Sequence, residues 1–362
     1  MVLIIGVKKI KYNNNYFALL IMIKLFLKRI SQFLIIPLII SSVLVCLYIK
    51  ADPYSDFKEK NYNYSWKYFF QGLGDLATKK LIKSDVKYNS FIFGSSRCAG
   101  VYACYLQHKI PKSAFFNYAD WNETIEGVYN KLKLLDSLKY KIDNVFWYID
   151  TDNTFGKAYS DNNHYMLTNN SKKDYLFNHF TSFYKPIFKF NSTSKDRVKI
   201  LLGLPVNGEI FPDWNSDLVT NDPNHSCDTV DFANYSKPNF NAELIRNIDS
   251  LKGTGFFYKR DTVQQYNEVQ ILEKERKILS KISEIFNKHN TNYYIIITPI
   301  YDQKKFHQSD YNILKAFFGN RLYDFSGINE ITNNEYNFPD QKHFQEYISK
   351  RIIDQIFSDT YY

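Results

Sequence analysis

Between Arg29 and Lys50 the chain runs for twenty residues, Ile30 to Ile49 (ISQFLIIPLIISSVLVCLYI), without a single charged side chain. As a helix, twenty residues span about 30 Å, the hydrocarbon thickness of a bilayer. Pro37 lies inside the run, where a membrane helix tolerates it better than a soluble one. The flanks are asymmetric. Lys24, Lys28 and Arg29 precede the run, and Asp52 and Asp56 follow it beside Lys50 and Lys58. Lys and Arg collect on the cytoplasmic side, so the expectation is a cytoplasmic N-terminus and an extracytoplasmic remainder.

Competing readings of this segment are weaker. A cleaved signal peptide requires small residues at its cleavage site, and nothing like Ala-x-Ala follows the run. Val45 before Cys46 disfavours a lipid-modified cysteine. The earlier apolar patch, Tyr16 to Met22, is too short to span, and Met22 is itself a candidate start. The predicted organisation is therefore a cytoplasmic tail at 1–29, a transmembrane anchor at 30–49 with membrane lipid as its partner, a stalk at 50–85, and one domain at 86–362.

Charge narrows the class of that domain. The formal net charge is +9, but residues 1–50 hold seven bases and no acids. The rest carries 39 bases against 37 acids, so it is nearly neutral. That balance excludes the basic stripe of a nucleic-acid binder. There is no Walker loop and no zinc-finger spacing. His164, His179, His225 and His307 are scattered, so no metal site is expected, and no cofactor motif is present. Of the four cysteines, Cys46 lies in the apolar run. The other three, Cys98, Cys104 and Cys227, cannot all pair with one another. One bridge remains open, while Cys98 and Cys104 read as buried, inert thiols.

Apolar runs alternate with helix-period stretches through the domain. The runs at Phe91–Phe93, Ala114–Phe116, Asn144–Ile149, Tyr293–Ile297 and Arg321–Phe325 read as strands of a parallel sheet. Three apolar stripes read as helices. The first is Ile125, Val128, Leu132 and Leu135. The second is Val269, Leu272, Leu279, Ile282, Ile285 and Phe286. The third is Phe344, Ile348, Ile352, Ile356 and Phe357. The predicted fold class is thus α/β, a three-layer α/β/α sandwich with a flavodoxin-like parallel sheet, plus one N-terminal transmembrane helix. A polar, loop-rich insertion at about 155–262 interrupts it and reads as a lid or specificity element.

Two local patterns carry chemistry. Phe93-Gly94-Ser95-Ser96-Arg97 follows the first strand. Ligands of open α/β sheets collect at the carboxyl ends of strands, where a serine can act as a nucleophile beside backbone N–H donors. A serine at such a turn serves equally as a helix cap. Pro339-Asp340-Gln341-Lys342-His343 precedes the last helix. Histidine can take a serine's proton, and a carboxylate can hold its second ring nitrogen. Asp340 reads equally as a helix cap and His343 as a surface residue.

Together, a Gly-x-Ser turn after the first strand and an Asp-x-x-His before the last helix resemble the SGNH (GDSL-type) hydrolase superfamily. The resemblance covers about 88–154 and 290–357. It looks closest to membrane-anchored, extracytoplasmic members acting on cell-envelope polymers, such as the D-alanine transfer protein of teichoic acid and the alginate O-acetylation proteins. It implies Ser96 as nucleophile, His343 as base and Asp340 as its orienter. The chain departs from the family's pattern in three places. Gly94-Ser95-Ser96 replaces Gly-Asp-Ser. Asn122 stands where a glycine would help build the oxyanion hole. Asp150-Thr151-Asp152-Asn153 replaces Gly-x-Asn-Asp. Gly94, Arg97, Asn122 and Asn153 are therefore the oxyanion or substrate candidates, with Arg97 open to being a structural ion pair. Trp121 and Trp214 are candidate sugar platforms, whereas Trp147, in a central strand, reads as core. The implied function is a serine O-acyl esterase or O-acyltransferase acting on an envelope or exported polysaccharide. The alternative is an inactive accessory or carbohydrate-binding subunit beside a membrane-embedded acyltransferase partner.

Overall fold

The computed structural model describes residues 14–53, 57, 77–78, 81–82, 84–98, 100–156, 172–190, 194–204, 249–250 and 257–359. His164, Trp214, His225 and Cys227 lie outside these described residues. The chain divides into two compact units, Met1–Phe69 with Leu176–Ile210, and Phe70–Tyr175 with Phe211–Tyr362.

The first unit is built on helix α1, Asn14–Ala51, which carries Pro37. Its stretch Leu19–Ala51 is long and apolar enough to cross a membrane. Side chains such as Phe33, Ile36 and Leu38 stand exposed along it, as lipid-facing residues would.

The second unit is the α/β domain. Its strands are β1 (Ser90–Phe93), β2 (Phe115–Asn117), β3 (Asn144–Ile149), β4 (Asn292–Ile297) and β5 (Leu322–Asp324). They form one sheet in the order β2-β1-β3-β4-β5, and every pairing is parallel. All five strands fall on the predicted runs. β1, β2 and β3 are buried at every position, because a parallel sheet is covered on both faces.

Alternation along the strands sorts residues to the two faces. Phe91, Phe93, Val145, Trp147, Ile149, Ile295 and Ile297 enter one core. Ile92, Phe146, Tyr148, Tyr294 and Ile296 enter the other. Helix α2 (Ala103–Lys109) supplies Ala103 and Leu106 to the second core. Helix α3 (Ile125–Ser137) presents the predicted stripe Ile125, Val128, Leu132 and Leu135 to the first. Fully burying each such side chain contributes about 1.5–3 kcal/mol.

Among its described residues, the insertion holds helices α4 (Lys172–Phe188) and α5 (Ser194–Leu201). They belong to the first unit from Leu176 onward, and His179 is buried within α4. Helices α6 (Glu273–His289) and α7 (Gln308–Phe318) cover the first face with Leu279, Ile282, Phe286, Leu314 and Phe318. The short α8 (Glu330–Asn333) is followed by α9 (Glu346–Asp359), which closes the second face with Ile348, Ile352, Ile353 and Ile356.

One predicted helix begins too early. Val269 and Leu272 are exposed and precede α6. The Asp310 carboxylate accepts the N–H groups of Gln270 (2.7 Å) and Ile271 (3.3 Å), which holds that stretch out of the helix. Ala77 and Leu81 are buried in the first core, so its packing reaches back into the stretch read as a stalk.

Candidate functional site

The sheet order places a switch point between β1 and β3, where an open α/β sheet offers its ligand crevice. Gly94 leaves β1 with φ +147°, and a Cβ there would lie 2.8 Å from the Tyr148 carbonyl oxygen on β3. Only glycine allows the turn to approach β3 this closely. The Oγ of the buried Ser95 accepts the Arg97 N–H at 3.3 Å, and its carbonyl accepts the Cys98 N–H at 3.0 Å. Capping of the short 3-10 turn Ser96–Cys98 therefore falls to Ser95. Ser96 is left half-buried, with its Oγ 2.8 Å from His343 Nε2.

His343 is held by its own turn. Asp340 Oδ1 accepts the backbone N–H groups of Lys342 (2.6 Å) and His343 (2.8 Å). The same carboxylate meets His343 Nδ1 at 3.0 Å through Oδ1 and 2.8 Å through Oδ2. Burial would raise the Asp340 pKa, but hydrogen bonds from His343 and the Lys342 N–H hold it below the ordinary value. An ionised Asp340 accepts from Nδ1–H, which leaves the Nε2 lone pair facing Ser96. Serine, histidine and aspartate thus form one continuous array, the arrangement that activates a hydroxyl for attack.

Arg97 sits in an ion pair. It is buried, with Nη1 2.6 Å from Asp152 Oδ1, Nη2 3.1 Å from Asp152 Oδ2, and Nη1 3.1 Å from Asp150 Oδ2. Its Nε donates to the Lys342 carbonyl, and Lys342 Nζ reaches Asp152 at 2.9 Å. Thr298, after β4, donates to Asp150 at 2.7 Å. The network ties the ends of β1, β3 and β4 to the turn that carries His343. Burial opposes both charges, yet the pairing holds the Arg97 pKa above and the Asp152 pKa below its usual range.

The remaining candidates divide. Asn122 is exposed at φ +49°, a left-handed backbone that asparagine tolerates and glycine favours. Buried Asn153 donates its Nδ2–H to the Glu123 carbonyl at 3.3 Å, fastening the loop after β3 to the loop that holds Asn122. Trp147 is buried core, and Trp121 is partly exposed. Cys98 is a buried free thiol, its pKa pushed well up by burial and by Asp150. Cys104 differs from the expectation of an inert thiol, because it is disulfide-bonded.

Sequence reasoning passed over Asp152 and Lys342, although a carboxylate pair directly after a central strand signals a charged partner nearby. It also passed over Lys131, a base on the buried stripe of α3. Lys131 contacts Glu123 and lies 3.4 Å from Asp120, with its ammonium over the Tyr118 ring. Burial and the neighbouring Asp120 push Glu123 up to about 7 against the pull of Lys131.

No protein-family model matches this chain, and a search of curated proteins finds no match either.

Proposed function

We propose that this chain is a membrane-anchored serine O-acyl esterase or O-acyltransferase of SGNH-like kind, working outside the cytoplasm. One observation carries the reading: the unbroken array Ser96 Oγ, His343 and Asp340 at the carboxyl end of β1. In the proposed reaction Ser96 Oγ attacks an ester carbonyl while His343 Nε2 takes its proton. The tetrahedral adduct collapses as the ester C–O bond breaks, and His343 returns the proton to the leaving alcohol. Water or a sugar hydroxyl then takes the acyl group from Ser96 by the same steps in reverse.

Location follows from two features. The positive flank Lys24, Lys28 and Arg29 favours a cytoplasmic N-terminus. The disulfide at Cys104 favours an oxidising compartment for the α/β domain. An anchored enzyme there suits an envelope or exported polysaccharide as substrate.

A second reading, a non-catalytic accessory or carbohydrate-binding subunit of a membrane acyltransferase system, rests on Asn153. Its amide is engaged by the Glu123 carbonyl, at a position where the family's pattern suggests an oxyanion donor. Losing one such donor costs about 100- to 1,000-fold in rate. The two readings separate on treating the detergent-solubilised full chain with a fluorophosphonate. The enzyme reading expects one covalent adduct, on the Ser96 peptide, absent from Ser96→Ala and His343→Ala. A folded protein that never labels favours the accessory subunit.

A further inference from the structure

Helices α4 and α5 lie against the end of α1 that the proposed topology places outside. The Tyr184 hydroxyl donates to the Leu44 carbonyl at 2.7 Å. Tyr48 sits among the rings of Phe180, Phe183 and Tyr184, with centroids 5.4, 5.9 and 6.3 Å away. Ala51 and Ile200 complete this small core. Arg197 closes the hairpin from within, donating to the Phe183 carbonyl at 3.2 Å with its guanidinium over the Phe183 ring.

The level of this contact is informative. Leu44 and Tyr48 belong to the charge-free run, and Leu44 lies five residues before its end at Ile49. At 1.5 Å per residue that is about 7–8 Å along the helix axis. An interfacial helix buries its apolar face about 5–10 Å into the boundary between headgroups and acyl chains. The hairpin is therefore docked where the bilayer surface meets α1.

The side chains around this contact fit that position. Phe177, Tyr184 and Phe188 are spaced i, i+7, i+11 and share one stripe of α4. Tyr184 on that stripe touches α1, while Phe177 and Phe188 beside it are 65% and 63% exposed. Beyond α4, Phe190 is 90% exposed, and Leu202 after α5 is 64% exposed. Residues 172–204 hold seven bases and two acids. Lys173, Lys185, Lys189 and Lys195 are exposed among these aromatic and aliphatic groups. Exposed Phe and Leu interleaved with Lys is the composition of a peptide that lies in the interface of an anionic membrane.

We propose that the α4–α5 hairpin is an interfacial membrane anchor, seated in the leaflet from which α1 emerges and held by anionic lipid. The proposal rests on α1 spanning the bilayer and is independent of the chemistry at Ser96.

Single cysteines introduced as Phe190→Cys and Leu202→Cys would test it in the full chain with Cys46→Ser, each carrying an environment-sensitive fluorophore. Leu38→Cys reports on the span and Lys277→Cys on the exposed face of α6. The host is a phosphatidylcholine–phosphatidylglycerol vesicle, probed with nitroxide lipids and aqueous iodide. Labels at 190 and 202 are expected to lose most of their emission to a shallow nitroxide and to resist iodide. The label at 277 is expected to behave oppositely, and that at 38 to respond to a deep nitroxide. A deep signal at 38 with iodide-quenched labels at 190 and 202 overturns the hairpin proposal and leaves the span intact. No deep signal at 38 overturns both. Labels at 190 and 202 that resist iodide and nitroxide alike show a protein contact instead, which also overturns it.

Discussion

Asp340 performs two tasks with one carboxylate, and they can be separated. Its Oδ1 accepts two backbone N–H groups, which shapes the turn, while both oxygens face the His343 ring. Asparagine keeps an oxygen for the backbone and loses the charge that orients the imidazole and stabilises it once protonated. Asp340→Asn is therefore expected to slow fluorophosphonate labelling of Ser96 by about 10⁴-fold, the scale seen when a triad carboxylate is replaced by its amide. The thermal midpoint should stay near that of the unmodified chain. Labelling at an unchanged rate would mean that Asp340 is only a turn residue. The distinction matters because an Asp-x-x-His before a helix serves capping and catalysis equally well on paper. The position of Ser96, 2.8 Å from the far ring nitrogen, is what favours catalysis.

At the scale of elements, Arg97, Asp152 and Lys342 join three segments that the chain separates widely. Burial alone would raise the Asp152 pKa, but Arg97 and Lys342 hold it below the unfolded value of about 3.9. A carboxylate with a depressed folded pKa gives stability that is complete above its unfolded pKa and is lost as pH falls towards the folded one. Asp152→Asn is thus expected to lower unfolding free energy by about 2 kcal/mol near pH 7, the scale of hydrogen bonds to charged groups. That gap should hold down to about pH 5 and shrink below about pH 4. Parallel denaturant titrations from neutral to acid pH would show this, and a gap of constant size down to pH 3 would remove Asp152 from the account. The pairing within this network could not be read from the sequence because its partners lie 55, 190 and 245 residues apart. The strands were legible for the opposite reason: each is a short continuous apolar run, as burial on both faces demands. Both halves of the Ser–His–Asp array were legible as local turns, and their meeting was implied only by the family resemblance. The start of α6 was misread because apolar spacing continues through Val269 and Leu272, while the Asp310 side chain intercepts the backbone first.

At the scale of the whole molecule, compartment and chemistry should agree. The reading requires the α/β domain to fold where disulfides persist, and Cys104 carries the marker for it. Cys98, six positions earlier, is a buried free thiol and serves as an internal control. Alkylation of the unfolded protein without reductant is expected to modify Cys98 and spare Cys104. After reduction both should be modified, and peptide mass analysis distinguishes them. The protein must come from its native membrane and be trapped in acid before lysis, so that thiols neither form nor exchange bonds during handling. Cys104 alkylated without reduction would mean the domain resides in a reducing compartment. The positive-inside assignment of α1 would then be reversed, and an exported polysaccharide would be out of reach of Ser96. Protection of Cys104 instead keeps the domain on the side where such polymers are exposed, which leaves acyl donor and acceptor as the variables to identify.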